Sequence, residues 1–330
     1  MAIDLTQLPA PNVIEELDFE TLLQRRKTRL IAAMPADIRA AVTATLALES
    51  EPLTILLQEN AYTELILRQR INDAARASLL AYAEKTDLDN RAADYGVQRL
   101  LIKAANPDTT PPTEAVWEDD ERLRYRAQMA LEGLSVAGSR GAYLFHTLSA
   151  SADIADASVD SPTFELAELP ADLRQRLPAG AIVLTCNYSA GLDKPLPGDV
   201  AVAVLPKPGA EAGPLLERAG QALSAEDVRP LTDRPRLLPG QPQPFIVVAT
   251  IEPENGPDAD VVLSNARQKL DAALAAARRL AGEMPRSAIF AALHVPGVRR
   301  VELTQPADDI RCDLRHYPDC RSIELTRTPR

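Results

Sequence analysis

The stretch from Pro52 to Lys85, "PLTILLQENAYTELILRQRINDAARASLLAYAEK", decides how the N-terminal third folds. It holds no glycine and no proline after Pro52. Leu53, Leu56, Leu57, Ala61 and Leu65, then Leu79, Leu80 and Ala83, recur at the spacing that lines one side of a helix. Uninterrupted, that helix would be about 50 Å long at 1.5 Å per residue. Asn60, Glu64, Arg68, Asn72 and Arg76 follow one another at four-residue steps and form a polar stripe. The stripe is either a solvated face, with a Glu64–Arg68 pair contributing a few tenths of a kcal/mol, or a surface that meets partner helices.

Working outward, residues 1–17 contain Pro9 and Pro11 and read as an extended arm. Asp18 caps a helix running to about Met34, and Pro35 opens a second, "PADIRAAVTATLALES", since proline is tolerated in a first turn. Thr86 and Asp89 give a helix start of capping-box type. Gly96 ends that helix as a left-handed cap. Residues 18–100 therefore read as a helical domain. "KAANPDTTPPTEA" marks residues 101–117 as a Pro-rich linker, with a hinge expected there.

Beyond it the pattern becomes mixed α and β. "EDDERLRYRAQMALEGL" has an acidic first turn, which suits the helix dipole. "ADIADASVDSP", "GAIVLTCNY", "DVAVAVLP", "QPFIVVATIEP" and "GVRRVELTQP" are short β-rich runs bounded by Pro and Gly. Helices are expected at 212–224, 258–281 and 285–294. The fold class is thus multidomain α+β: an all-helical segment with a long helix, then two small mixed α/β domains, 118–240 and 241–330.

The chain has 330 residues and a net charge of −11, with aromatics at only 4%. The charge and the lack of a basic block argue against nucleic acid. No apolar run reaches the roughly 20 residues of a membrane helix. The acidic start has no signal-peptide core, so synthesis in a cytoplasm is expected. Three cysteines make no disulfide framework.

Two stretches invite a chemical reading. "GLSVAGSRGAY", Gly133 to Tyr143, has the glycine spacing of a phosphate loop. However, Ser139 and Arg140 stand where Lys and Ser/Thr belong, and a charged helix precedes it instead of a strand. A nucleophile elbow fails on spacing and on the same flank. The alternative function, an enzyme or phosphate-binding protein using the Gly133–Gly141 loop, rests on this stretch alone. The structural reading makes it an elbow: Gly133 ends one helix, Ser139 caps the next, and Gly138 and Gly141 allow tight passage. His146 then lies on a helix face. In "CDLRHYPDC", Cys312, His316 and Cys320 are three metal-ligand types where a structural zinc needs four. The competing reading is a β-hairpin turning near Tyr317 and Pro318. The acids at 118–121 and Asp308–Asp309 lack partner ligands. No cofactor, metal or catalytic residue is therefore expected.

The chain as a whole resembles the baseplate assembly protein J family of contractile-tailed phages and phage-tail-like bacteriocins. The resemblance runs through "IDLTQLPAPNVIEELDFETLLQRRK", "LALESEPLTILLQENAYTELILRQRINDAARASLLAYA", "TDLDNRAADYGVQRL", "EDDERLRYRAQMALEGLSVAGSRGAYLFHTLSA", "LSAEDVRPLTD" and "RSAIFAALHVPGVRRVEL". The stretch 164–213 and the last fifteen or so residues depart from it. The resemblance implies a structural wedge subunit without catalytic residues, in the tail baseplate of a virion or bacteriocin particle. Two copies are expected to join one baseplate protein I-type wedge subunit. They would also meet neighbouring wedges, the hub and sheath-proximal proteins. The N-terminal helices would share a bundle, in which Asn60, Glu64, Arg68, Asn72 and Arg76 help to fix partner and register. The C-terminal domains would close a six-fold ring that opens when the tail is triggered.

Overall fold

A computed structural model describes residues 5, 8–9, 11, 13–254 and 258–328 of the chain. The chain divides into two compact units, 1–99 with 119–128, and 100–118 with 129–330. The fold is α+β, helical at the N-terminus and built of small mixed sheets beyond it.

The first unit holds α1 (Phe19–Ala33), α2 (Arg39–Leu46), α3 (Pro52–Ala77) and α4 (Lys85–Ala93). Asp18 caps α1, its carboxylate accepting from the Thr21 N–H at 2.7 Å. Leu22 and Leu23 of α1 pack on Ala61 of α3, with Phe19, Leu57 and Leu65 around them. Of the arm expected over 1–17, residues 1–4, 6–7, 10 and 12 lie outside the described residues. The rest is not simply extended, for the Ile14 N–H closes a turn onto the Pro11 carbonyl at 3.0 Å.

In the first unit three helix boundaries differ from expectation, each where a side chain takes up backbone groups or a capping residue, while in the second unit the helix expected over 258–281 ends at Ala277. The long helix stops at Ala77 instead of Lys85, so its 26 residues span about 39 Å. The chain turns there because the Arg124 guanidinium donates to the Leu80 and Ala83 carbonyls at 2.9 and 2.7 Å. The second helix starts at Arg39 and not at Pro35. The Arg39 side chain reaches back to the Met34 and Ala32 carbonyls and closes the end of α1. The start of α4 is not a Thr86–Asp89 capping box. Asp89 is held by Arg99 at 2.6 Å, and the Lys85 N–H donates to Asp120 at 2.9 Å.

In the second unit, β1 (Leu101–Lys103) and β2 (Val116–Trp117) pair antiparallel, with a further bridge between Asn106 and Thr113. Residues 101–117, expected as a Pro-rich linker, carry a hairpin. The buried Glu118 carboxylate closes its base by accepting from the Leu100 N–H at 3.0 Å. A hinge inside this hairpin would have to break the Leu101–Trp117 ladder. Next come α5 (Asp120–Gly133), whose residues to Gln128 belong to the first unit, and α6 (Arg140–Ala150).

The next elements are β3 (Ile154–Asp160), β4 (Thr163–Leu166), α7 (Ala171–Arg176), β5 (Leu184–Tyr188), β6 (Asp199–Pro206), α8 (Ala212–Leu223) and β7 (Arg234–Pro239). β3 and β7 flank β6, antiparallel and parallel respectively. Tyr143, Leu148, Ile154, Val202, Val204 and Leu223 form the core between that sheet and α6 and α8. The chain ends with β8 (Gln241–Pro253), α9 (Ala259–Ala277), β9 (Glu283–Met284), α10 (Arg286–Leu293), β10 (Val298–Gln305), β11 (Ile310–Arg311) and β12 (His316–Arg327). β8 is the middle strand between β10 and β12, and its inward residues Val247, Ala249 and Ile251 pack on α9 and α10.

The hairpin expected near Tyr317 and Pro318 is absent; β12 runs straight through both, parallel to β8. An edge strand tolerates Pro318, because its missing N–H need not cost a ladder bond. The halves 118–240 and 241–330 each carry a sheet, but from Met129 onward they form one compact unit. Ala203 and Leu205 of β6 share a cluster with Leu280, and Asp156 accepts from the Leu280 N–H at 2.8 Å. Arg278 donates to the Pro206 carbonyl at 3.1 Å.

Candidate functional site

The polar stripe of α3 lies in the first unit, and most of it is used inside the chain. The Glu64 carboxylate receives Arg26 at 2.7 Å and Arg68 at 2.9 Å. Burial alone would raise the Glu64 carboxyl, but hydrogen bonds and attraction from Arg68 and Arg26 outweigh it and hold the group below its ordinary value. Arg68 also pairs with Glu15, which, with Glu64, raises the guanidinium further. Asn72 is only 4% exposed. Its amide donates to the Glu15 carbonyl at 2.8 Å and accepts the Glu15 N–H at 3.1 Å, as a neighbouring strand would. Asn60 donates to the Leu56 carbonyl of its own helix, and Arg76 is exposed in the last turn. Thus Glu64, Arg68 and Asn72 meet α1 and the arm, while Asn60 and Arg76 do not join them.

The sequence reading missed the other side of the helix. Ile55, Leu56, Tyr62, Ile66, Leu67 and Ile71 are each 49–58% exposed. At 100° per residue, Ile55, Tyr62 and Ile66 fall on one stripe and Leu56, Leu67 and Ile71 on the next. The exposed Glu59, Thr63 and Arg70 lie between the two stripes, so the outer side of α3 is a mixed surface with two apolar rows along much of its length. Single exposed apolar residues are ordinary; six of them in two rows on one helix mark an interaction surface. The signal was present in "ILLQENAYTELIL", which has more apolar residues than one buried face can use.

In the second unit, Gly133 is the last residue of α5, and Ser139 is the N-cap of α6, its Oγ accepting from the Ala142 N–H at 3.3 Å. A Cβ on Gly133 would lie 2.3 Å from the Phe145 ring, and one on Gly141 would collide with Glu132. Gly138 has a φ of +73°, with Asp233 2.6 Å from where its Cβ would stand. His146 shares a hydrogen bond with the Gly133 carbonyl at 3.1 Å. The adjoining cavity, about 350 Å³, is lined by Arg140 but also by Asp160, Asp199 and Asp233. Asp199 is paired with Arg234 and Arg236, and Asp160 and Asp233 still set two carboxylates against the one lining arginine, which makes the cavity unsuited to a phosphate. Tyr143 donates to Asp233 at 2.8 Å; burial and that carboxylate raise the phenol well above its ordinary value, so it is no ready base.

The other candidate does not converge either. Cys312 donates to the Gln243 side chain at 3.1 Å, Cys320 to the Ser322 carbonyl at 3.4 Å, and His316 is engaged by Asp313 at 2.6 Å. Burial, then Asp313, pushes the Cys312 thiol up to about 11, away from a metal-binding thiolate. Among the described residues, no three His, Cys, Asp or Glu side chains are placed to hold a metal. Nor is any helix long and apolar enough to cross a membrane. What the surface offers is contact area.

Comparison with known proteins agrees. The family model for the Baseplate J-like N-terminal domain matches residues 49–106, and that for the Baseplate J-like protein C-terminal domain matches residues 246–326. Baseplate protein J of Escherichia phage P2 is 44% identical over 310 residues, covering 93% of this chain and 92% of that protein. The chain belongs to the baseplate J family. The relationship supports a structural protein of a phage-tail baseplate, and it points away from an enzyme. The N-terminal match begins just before α3 and includes all of its exposed apolar surface.

Proposed function

We propose that this chain is a wedge subunit of a contractile-tail baseplate, and that α3 is its assembly helix. The exposed apolar surface of α3 carries the reading. A helix whose Glu64, Arg68 and Asn72 are satisfied within its own chain, and whose outer side carries two rows of exposed apolar residues, suits cover by other helices. In the proposed wedge, two copies bind one baseplate protein I-type subunit through a shared bundle. The second unit then contacts neighbouring wedges, closing a six-fold ring around the hub that relays the contraction trigger toward the sheath. The net charge of −11 suits a part that does not touch DNA.

Co-expression with the I-type subunit, followed by native mass measurement, tests the composition. The expected species holds two copies of this chain and one of the partner. A partner that never co-purifies removes the wedge reading. A nucleotide or phosphate bound by wild type and lost in Arg140→Ala would instead favour the enzyme alternative.

A further inference from the structure

Between Thr163 and Ser189 the chain leaves the core of the second unit. β4, α7 and β5 lie on this excursion, and no residue in it is buried. β4 and β5 form a separate two-stranded sheet with the register Phe164–Cys186, Glu165–Thr185 and Leu166–Leu184. Residues directly opposite share a face, so the sheet is amphipathic. One face carries a closed polar network: Thr163 donates to the Asn187 side chain at 2.8 Å, which in turn donates to Glu165 at 2.6 Å. The other carries Phe164, Leu166, Leu184 and Cys186. Leu166 and, just before β5, Ile182 are 74% and 73% exposed.

A two-stranded sheet is at best marginally stable in water, and its apolar face needs a cover. We propose that this arm docks, apolar face to apolar face, on the same arm of a second copy of the chain.

Three features favour that occupant. The face is self-complementary, as a two-fold contact requires. The arm is also nearly neutral within a chain of net charge −11, so general repulsion between copies is least there. Its length matches the roughly 20–30 residues that one side of a standard interface supplies. The pairing rests on the reading that two copies meet in the wedge.

Cys186 on the apolar face is exposed and reports the contact. With Cys312→Ser and Cys320→Ser in the background, a short bismaleimide is applied to the full chain, alone and in the co-expressed complex. The expected product is a Cys186–Cys186 dimer, falling at least tenfold in Leu166→Glu/Ile182→Glu with an unchanged unfolding midpoint. Three results overturn the pairing: no such dimer in a complex that native mass shows to hold two copies, a link from Cys186 to a different chain, or an undiminished yield in the variant. The first of these leaves the wedge reading standing. A complex without a second copy removes both.

Discussion

At the residue scale, Asn72 shows how a side chain can stand in for a strand. Its amide satisfies both backbone groups of Glu15 while nearly fully buried. Asn72→Leu leaves those groups unpaired and is expected to destabilise the first unit by about 1–3 kcal/mol. Asn60→Leu, which loses only a local exposed bond, should change stability by less than about 0.5 kcal/mol. Urea unfolding of the two variants separates them. Asp313 gives a pH signature. Burial would raise its carboxyl, but hydrogen bonds from His316 and Arg315 outweigh that and bring it from 3.8 to about 2. A depressed carboxyl stabilises the fold fully above pH 3.8, and that contribution disappears as pH falls through about 2. Asp313→Asn should flatten the acid limb of the unfolding midpoint in that window. The polar stripe was legible from its four-residue step. Its destination was not, because the partner of Asn72 is a backbone far away in sequence, and periodicity carries no information about that.

At the element scale, propensity located the long helix, and tertiary bonds ended it. Nothing in "RASLLAYAEK" stops a helix; Arg124 does, by taking two carbonyls. Arg124→Ala should cost about 1–3 kcal/mol, read as a fall in midpoint with the m-value kept. The elbow between α5 and α6 was readable because its chemistry is local: a helix-ending glycine and a serine N-cap. Gly138→Ala forces a side chain into left-handed backbone against Asp233, and a loss of about 1–2 kcal/mol is expected. Ser139→Ala should cost about 1 kcal/mol by the same assay. β12 and β7 escaped the sequence reading. Pro and Arg interrupt their alternation, and each is made a strand mainly by the neighbour it pairs with.

At the scale of the molecule, the α+β class followed from the change of period after residue 100. Proline density suggested a linker where a paired hairpin lies, because Pro and Gly mark turns as readily as loose connectors. The helical and α/β order was legible in the residues themselves, while the role came from the family resemblance, which 44% identity over 93% of the chain to one relative supports. Composition alone could not distinguish the inner from the outer side of α3, since both carry Leu. That difference is central: among the described residues the outer side is exposed, and it is the proposed assembly surface. The most direct test is native mass of the co-expressed complex for wild type and for Tyr62→Glu/Ile66→Glu, with thermal unfolding alongside. The account expects the two-to-one species in wild type, and at least a tenfold loss of it in a variant whose unfolding midpoint is unchanged. A variant that folds and still assembles as wild type does would contradict it.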